Sequence, residues 1–135
     1  MASYGGPITT ELAKRIAAAA LAEARANNWA MAAAIVDPGG ILVYFEKIDD
    51  TQHTSARICI DKARSAALFK RPTKAFQDAL EKGGVGLRVM TLRGAIPAEG
   101  GVPLLVDGKI VGALGVSGGT SEQDGQCCKA AIDAM

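Results

Sequence analysis

Apolar residues recur along this chain with two different periods, and the switch between them lays out the elements. From Thr10 to Asn27 the positions Leu12, Ile16, Ala19, Ala20 and Ala24 stand three or four residues apart, which predicts a helix with one apolar stripe. Thr9 or Thr10 can cap it through a side-chain oxygen. The stripe is nearly all alanine, and such small side chains predict close packing on a sheet or on a neighbouring subunit. Met31 to Val36 and Ile41 to Phe45 are short β-forming runs around the turn sequence Asp37-Pro38-Gly39-Gly40, and together they predict a hairpin. Ser55 to Lys70 returns to helical spacing until Arg71-Pro72 ends or bends it, and Thr73 to Lys82 predicts a shorter helix stopped by Gly83-Gly84. Leu87 to Leu92 fits neither period.

Val102 to Val106 and Lys109 to Val116 are strand-like and joined by Asp107-Gly108, a type I′ dipeptide, which predicts a second hairpin. Ser117-Gly118-Gly119-Thr120 then breaks the strand. Thr120 or Ser121 opens a C-terminal helix with Glu122 and Asp124 in its first turn. Hairpins rather than β-α-β crossovers point to an α/β (α+β) fold, an antiparallel sheet flanked by helices, and away from a Rossmann fold. The Gly83-Gly84-Val85-Gly86 pattern has no strand-to-helix context and carries no dinucleotide site.

Composition narrows the function classes. With 135 residues, 49% hydrophobic and 21% charged, the chain is expected to form one domain over residues 1–135 with a single core. Fifteen basic and fourteen acidic residues leave a net charge of +1 without blocks of either sign, so neither nucleic acid nor a membrane surface is an expected partner. The start of the chain lacks the basic and apolar regions of a signal peptide, and charges interrupt the alanine-rich stretch after it. A cytoplasmic location is the resulting expectation. Cys59 and the adjacent Cys127-Cys128 show no zinc-type spacing and read as reduced, packed thiols.

Four stretches carry a family likeness: Val36-Asp37-Pro38-Gly39-Gly40; Ile60-Asp61-Lys62-Ala63-Arg64-Ser65-Ala66-Ala67; Glu99-Gly100-Gly101-Val102-Pro103-Leu104; and the run from Val106-Asp107-Gly108 through Ser117-Gly118-Gly119. In this order and spacing they resemble the GlcG/HbpS-like family, which includes the C-terminal domain of PduO-type proteins, over nearly the whole chain. The resemblance implies a profilin-like sheet flanked by helices, and homo-oligomers from dimers to octamers. It also implies, in some members, haem as cofactor, and a setting in small-metabolite use. The histidine that the resemblance places in the first helix of PduO-type haem domains is absent from the first helix here.

Candidate chemistry lies in four places. His53, the only histidine, sits in the polar segment leading into the second helix and could ligate haem or a metal or exchange protons; a surface loop histidine is the plainer alternative. Glu99, Gly100 and Gly101 put a carboxylate and uncovered backbone on a loop, suited to a ligand carboxylate or a haem propionate, with simple turn geometry as the alternative. Ser117, Gly118 and Gly119 precede a helix that could meet an anion, although capping explains them better. Arg64, with Arg57, Asp61 and Lys62, reads as a solvated ion-paired face unless the helix borders a pocket, where Arg64 would clamp a carboxylate. Two functions follow: a small-ligand or haem-binding homo-oligomer, or a cofactor-free lyase or isomerase of a small carboxylated or aromatic intermediate. In the second, Arg64 anchors while His53 and Glu99 move protons. An assembly module built on the alanine-rich helices is a third and plainer reading.

Overall fold

Thr9 caps the first helix by accepting the Leu12 N–H at 3.2 Å, and α1 runs Thr10–Ala26 in this computed structural model, which describes residues 1–135. β1 (Ala32–Val36) and β2 (Leu42–Lys47) form the first hairpin. Its turn is held by Asp37, whose Oδ1 accepts the Gly39 and Ile41 N–H groups at 2.9 and 3.0 Å. β3 (Gly101–Val106) and β4 (Lys109–Ser117) form the second hairpin, where Asp107 and Gly108 take φ of 51° and 75°, as a type I′ turn demands. The remaining helices are α2 (His53–Phe69), α3 (Thr73–Lys82) and α4 (Ser121–Asp133). The strands order as β2-β1-β4-β3 with every neighbour antiparallel, the mixed fold that the hairpin pattern predicts.

Side chains alternate across the sheet, so its two faces receive different partners. Ala33, Ile35, Leu114 and Val116 face α1 and α4, and with Ile16, Leu21, Leu104 and Cys127 belong to the main core of 16 buried residues. Ala32, Ala34, Val36 and Ala113 face the other way, against Cys59, Ala63, Ala66 and Ala67 of α2. Only small side chains fit there. A Cβ on Gly115 would overlap the Cys59 carbonyl oxygen, so helix and strand touch backbone to backbone.

One boundary needs correction, and one ambiguous stretch is resolved. The second helix starts at His53, two residues earlier than its apolar pattern suggests, because Gln52 and Ser55 bond to each other across the first turn at 2.9 Å. Leu87 to Leu92 falls within a 3-10 segment, Gly84–Thr91, that packs on α3 and leaves Val85, Leu87 and Met90 in solvent, so neither period can develop. No helix is long and apolar enough to cross a membrane.

Candidate functional site

The loop entering β3 makes the most constrained backbone in the molecule. Gly100 takes φ of 127°, and a Cβ there would lie 2.7 Å from both the Lys62 Nζ and the Val116 carbonyl oxygen. Gly101 is wedged between the Lys62 backbone and Thr73, whose Oγ1 accepts the Gly101 N–H at 2.9 Å. The Gly100 carbonyl accepts the Val116 N–H at 2.8 Å and meets the Cys128 thiol at 3.2 Å. These glycines are therefore required by close approach, beyond turn geometry alone.

Behind them lies a buried ion pair. Lys62 Nζ donates to Asp124 Oδ2 at 2.8 Å and to the Val116 carbonyl at 3.1 Å, with the two side chains 3% and 4% exposed. The other carboxylate oxygen of Asp124 accepts the Gly119 N–H at 3.0 Å. The pair thus ties α2, the end of β4, the Ser117-Gly118-Gly119 loop and α4 at one point. Burial drives the Asp124 carboxyl above its ordinary value, against the opposing pull of the Lys62 ammonium and the Gly119 and Gly118 amides. Lys62 is absent from the sequence-derived candidates because it sits among Arg57, Asp61 and Arg64 and reads as one more solvated charge. Its signal was the stripe Ser55, Cys59, Lys62, Ala66, all four buried.

On the solvent side of the same glycines opens a cleft of 250 Å³ lined by Lys74, Glu99, Gly100, Gly101, Gly125 and Lys129, among others. Glu99 is positioned from both ends. Its N–H donates to Gln77 Oε1 at 2.8 Å, and its carboxylate lies over Gly125 of α4, where any side chain would collide with it. A glycine inside a helix costs about 1 kcal/mol relative to alanine, and here it makes room for that carboxylate. Lys74 and Lys129 stand at the rim, paired one turn along their own helices with Asp78 at 2.9 Å and Asp133 at 2.6 Å. Lys74 is raised above the usual lysine value, first by its hydrogen bond to Asp78, with Glu99 contributing further.

The structure brings Glu99, Gly100 and Gly101 together and sets the other candidates apart. Ser117 is buried; the Gly119 amide is turned inward to Asp124, and a Thr120/Gln123 capping box closes the start of α4. Arg64 lies in a separate hollow of 270 Å³ with Asp61, Leu68, Gly94 and Ile96, and makes no ion pair with Asp61 or any other acid. His53 is exposed, outside all five larger cavities, and stands three turns before Arg64, about 16 Å along the axis of α2. Within one chain His53 and Arg64 do not share a site.

No three His, Cys, Asp or Glu side chains converge to hold a metal, so His53 has no co-ligands. Haem needs an axial donor facing an apolar slot. The largest hollow, 420 Å³ between α1, β3 and α4, has apolar walls of Leu12, Ile16, Leu105 and Met135 with Arg15 at its edge, but no imidazole. All three thiols are buried in the core, with burial pushing Cys59 and Cys127 up to about 12. No hollow within a single chain sets an imidazole against an apolar slot.

Comparison with known proteins bears on the same region. The family described as "Haem degrading protein HbpS-like" matches residues 8–133. Protein GlcG of Escherichia coli strain K12 is 41% identical over 110 residues, covering 82% of this chain and 81% of its own. The crystal structure of Klebsiella pneumoniae protein ORFY superposes with a TM-score of 0.86 at 32% identity, covering 97% of this chain and 92% of that one. A PduOC:haem complex superposes with a TM-score of 0.85 at 26% identity, covering 96% and 95%. A match that runs from the start of α1 to the end of α4 takes in the glycine loop, the buried pair and the cleft alike: the chain belongs to the HbpS-like family.

Proposed function

We propose that this protein is a small-ligand-binding homo-oligomer, and that its ligand is an anion of small-metabolite size held in the cleft over Gly100 and Gly101. The observation that carries the reading is the cleft itself, floored by Gly100 and Gly101, flanked by Lys74 and Lys129 and backed by the buried Lys62 ammonium. A rim of ammonium groups favours a carboxylate. The exposed pairs of these lysines with Asp78 and Asp133 are weak and yield to a ligand at small cost. Haem carries two carboxylates, but no imidazole or thioether lines this cleft, so a free carboxylated metabolite suits it better.

The test is a thermal-shift titration with small mono- and dicarboxylates, beside a haemin titration followed by absorbance. At least one carboxylate is expected to raise the melting temperature of the wild type and to lose that effect in Lys74→Ala/Lys129→Ala. A saturable Soret shift abolished by His53→Ala transfers the ligand to haem, and no response to either probe overturns the reading.

Glu99 favours a second reading, a cofactor-free lyase or isomerase of a carboxylated or aromatic intermediate. Its carboxylate is fixed in the cleft where a bound molecule would meet it, as proton transfer requires. Turnover without added metal, abolished by Glu99→Gln while the carboxylate thermal shift persists, would separate catalysis from binding.

A further inference from the structure

The 3-10 segment and its flanks, residues 83–94, form an arm that packs on α3, buries Val89 and leaves its other large apolar side chains toward solvent. Val85 is 80% exposed, Met90 73%, Leu87 52% and Leu92 38%, four solvent-facing apolar side chains in one short run. Gly83, Gly84 and Gly94 take positive φ at its two ends, turning the chain out and back. At the base of the arm Gly94 and Ile96 line the same hollow as Asp61, Arg64 and Leu68 of α2, and Leu68 is itself half exposed. Arm and outward row of α2 are therefore one continuous surface.

We propose that this surface is where two copies of the chain pair, the arm of each lying across the Asp61–Leu68 row of the other. The inference rests on the homo-oligomer part of the reading above and names its surface. The exposed fractions of Val85, Leu87, Met90, Leu92 and Leu68 amount to about 500 Å² of apolar surface per copy, most of the roughly 800 Å² that each partner gives to a stable pair. The chain as a whole exposes 7091 Å² where a compact monomer of 13.9 kDa exposes about 6,700 Å². Charge sets the direction of pairing. Between Gly83 and Ala98 there are two arginines, Arg88 and Arg93, and no acid, so two arms repel each other, whereas the row carrying Asp61 and Arg64 is balanced in charge and does not repel an arm. A surface that pairs with itself across a two-fold axis closes after two copies.

The experiment is light scattering during size exclusion on the wild type, on Val85→Glu/Met90→Glu, and on Leu68→Glu from the other half of the patch, each checked for native circular dichroism. Both variants are expected to fall toward the 13.9 kDa monomer, with dimer affinity weakened about a hundredfold or more, as loss of central apolar anchors produces. A wild-type oligomer whose mass neither variant changes overturns the arm as the interface and leaves homo-oligomerisation standing elsewhere. A monomeric wild type overturns both.

Discussion

The two faces of the sheet are filled by opposite means. On the α1/α4 face, Ile16, Leu21, Ile35, Leu104 and Leu114 interlock as large side chains, and the helices stand off at the distance those side chains set. On the α2 face, Ala32, Ala34, Ala113 and Gly115 meet Cys59, Ala63 and Ala66 with almost no side-chain volume between the backbones. The first face tolerates rearrangement and tests how well a gap closes. The second has no slack, and that rigidity places the Lys62 ammonium and the Gly100 backbone so close to each other.

The buried pair gives the largest predicted effect. Lys62→Met leaves the Asp124 carboxylate buried without its cation and is expected to cost about 4 kcal/mol, read from urea midpoints. Lys62→Met/Asp124→Leu, which removes both charges, should recover most of that loss. A double variant as unstable as the single would mean that the pair holds the fold through geometry that apolar groups cannot replace.

Next comes a direct contrast between the faces. Leu114→Ala, on the α1/α4 side, should cost about 3 kcal/mol through the cavity it opens. Gly115→Ala adds a single methyl on the α2 side against the Cys59 carbonyl, and overpacking should cost about 2 kcal/mol with α2 displaced. If Gly115→Ala were neutral by chemical denaturation, the claim that this face lacks slack would fall.

The smallest effect is on reactivity. Cys59 on one face and Cys127 and Cys128 on the other are buried, and burial holds all three thiols well above their ordinary range, so a thiol reagent at pH 8 should label none in the native protein and three after denaturation. Selective labelling of Cys59 would show that α2 opens before the rest.

The elements legible in the sequence were those whose determinants are local. Asp107-Gly108 dictates its turn by its own φ preferences, and Thr9 and Thr120 cap with their own hydroxyls. The Glu99-Gly100-Gly101 loop was visible as a candidate because glycine pairs beside a carboxylate are unusual where a strand begins. Lys62 reads as part of a solvated face and Asp124 as a first-turn helix acid, since a lysine and an aspartate 62 positions apart declare nothing about each other until the fold joins them. His53 and Arg64 looked like partners for Glu99 for the opposite reason: residue type suggested chemistry, while only the helix axis shows how far apart they stand. The arm escaped because its apolar residues face solvent, against the rule that periodicity assumes.

The strand order β2-β1-β4-β3 also has a consequence in time. β1 and β4, the two inner strands, come from opposite ends of the chain, whereas each outer strand is made next to its own hairpin partner. During synthesis the β1–β2 ribbon emerges early and must wait, with the inner edge of β1 unpaired, until the last quarter of the chain delivers β4. Forming such a non-local pair is slow because loop closure precedes any reward. The arrival of β4 at β1 is therefore the expected slow step of refolding, and in that interval the alanine-lined inner edge of β1 is open to pairing with a wrong strand.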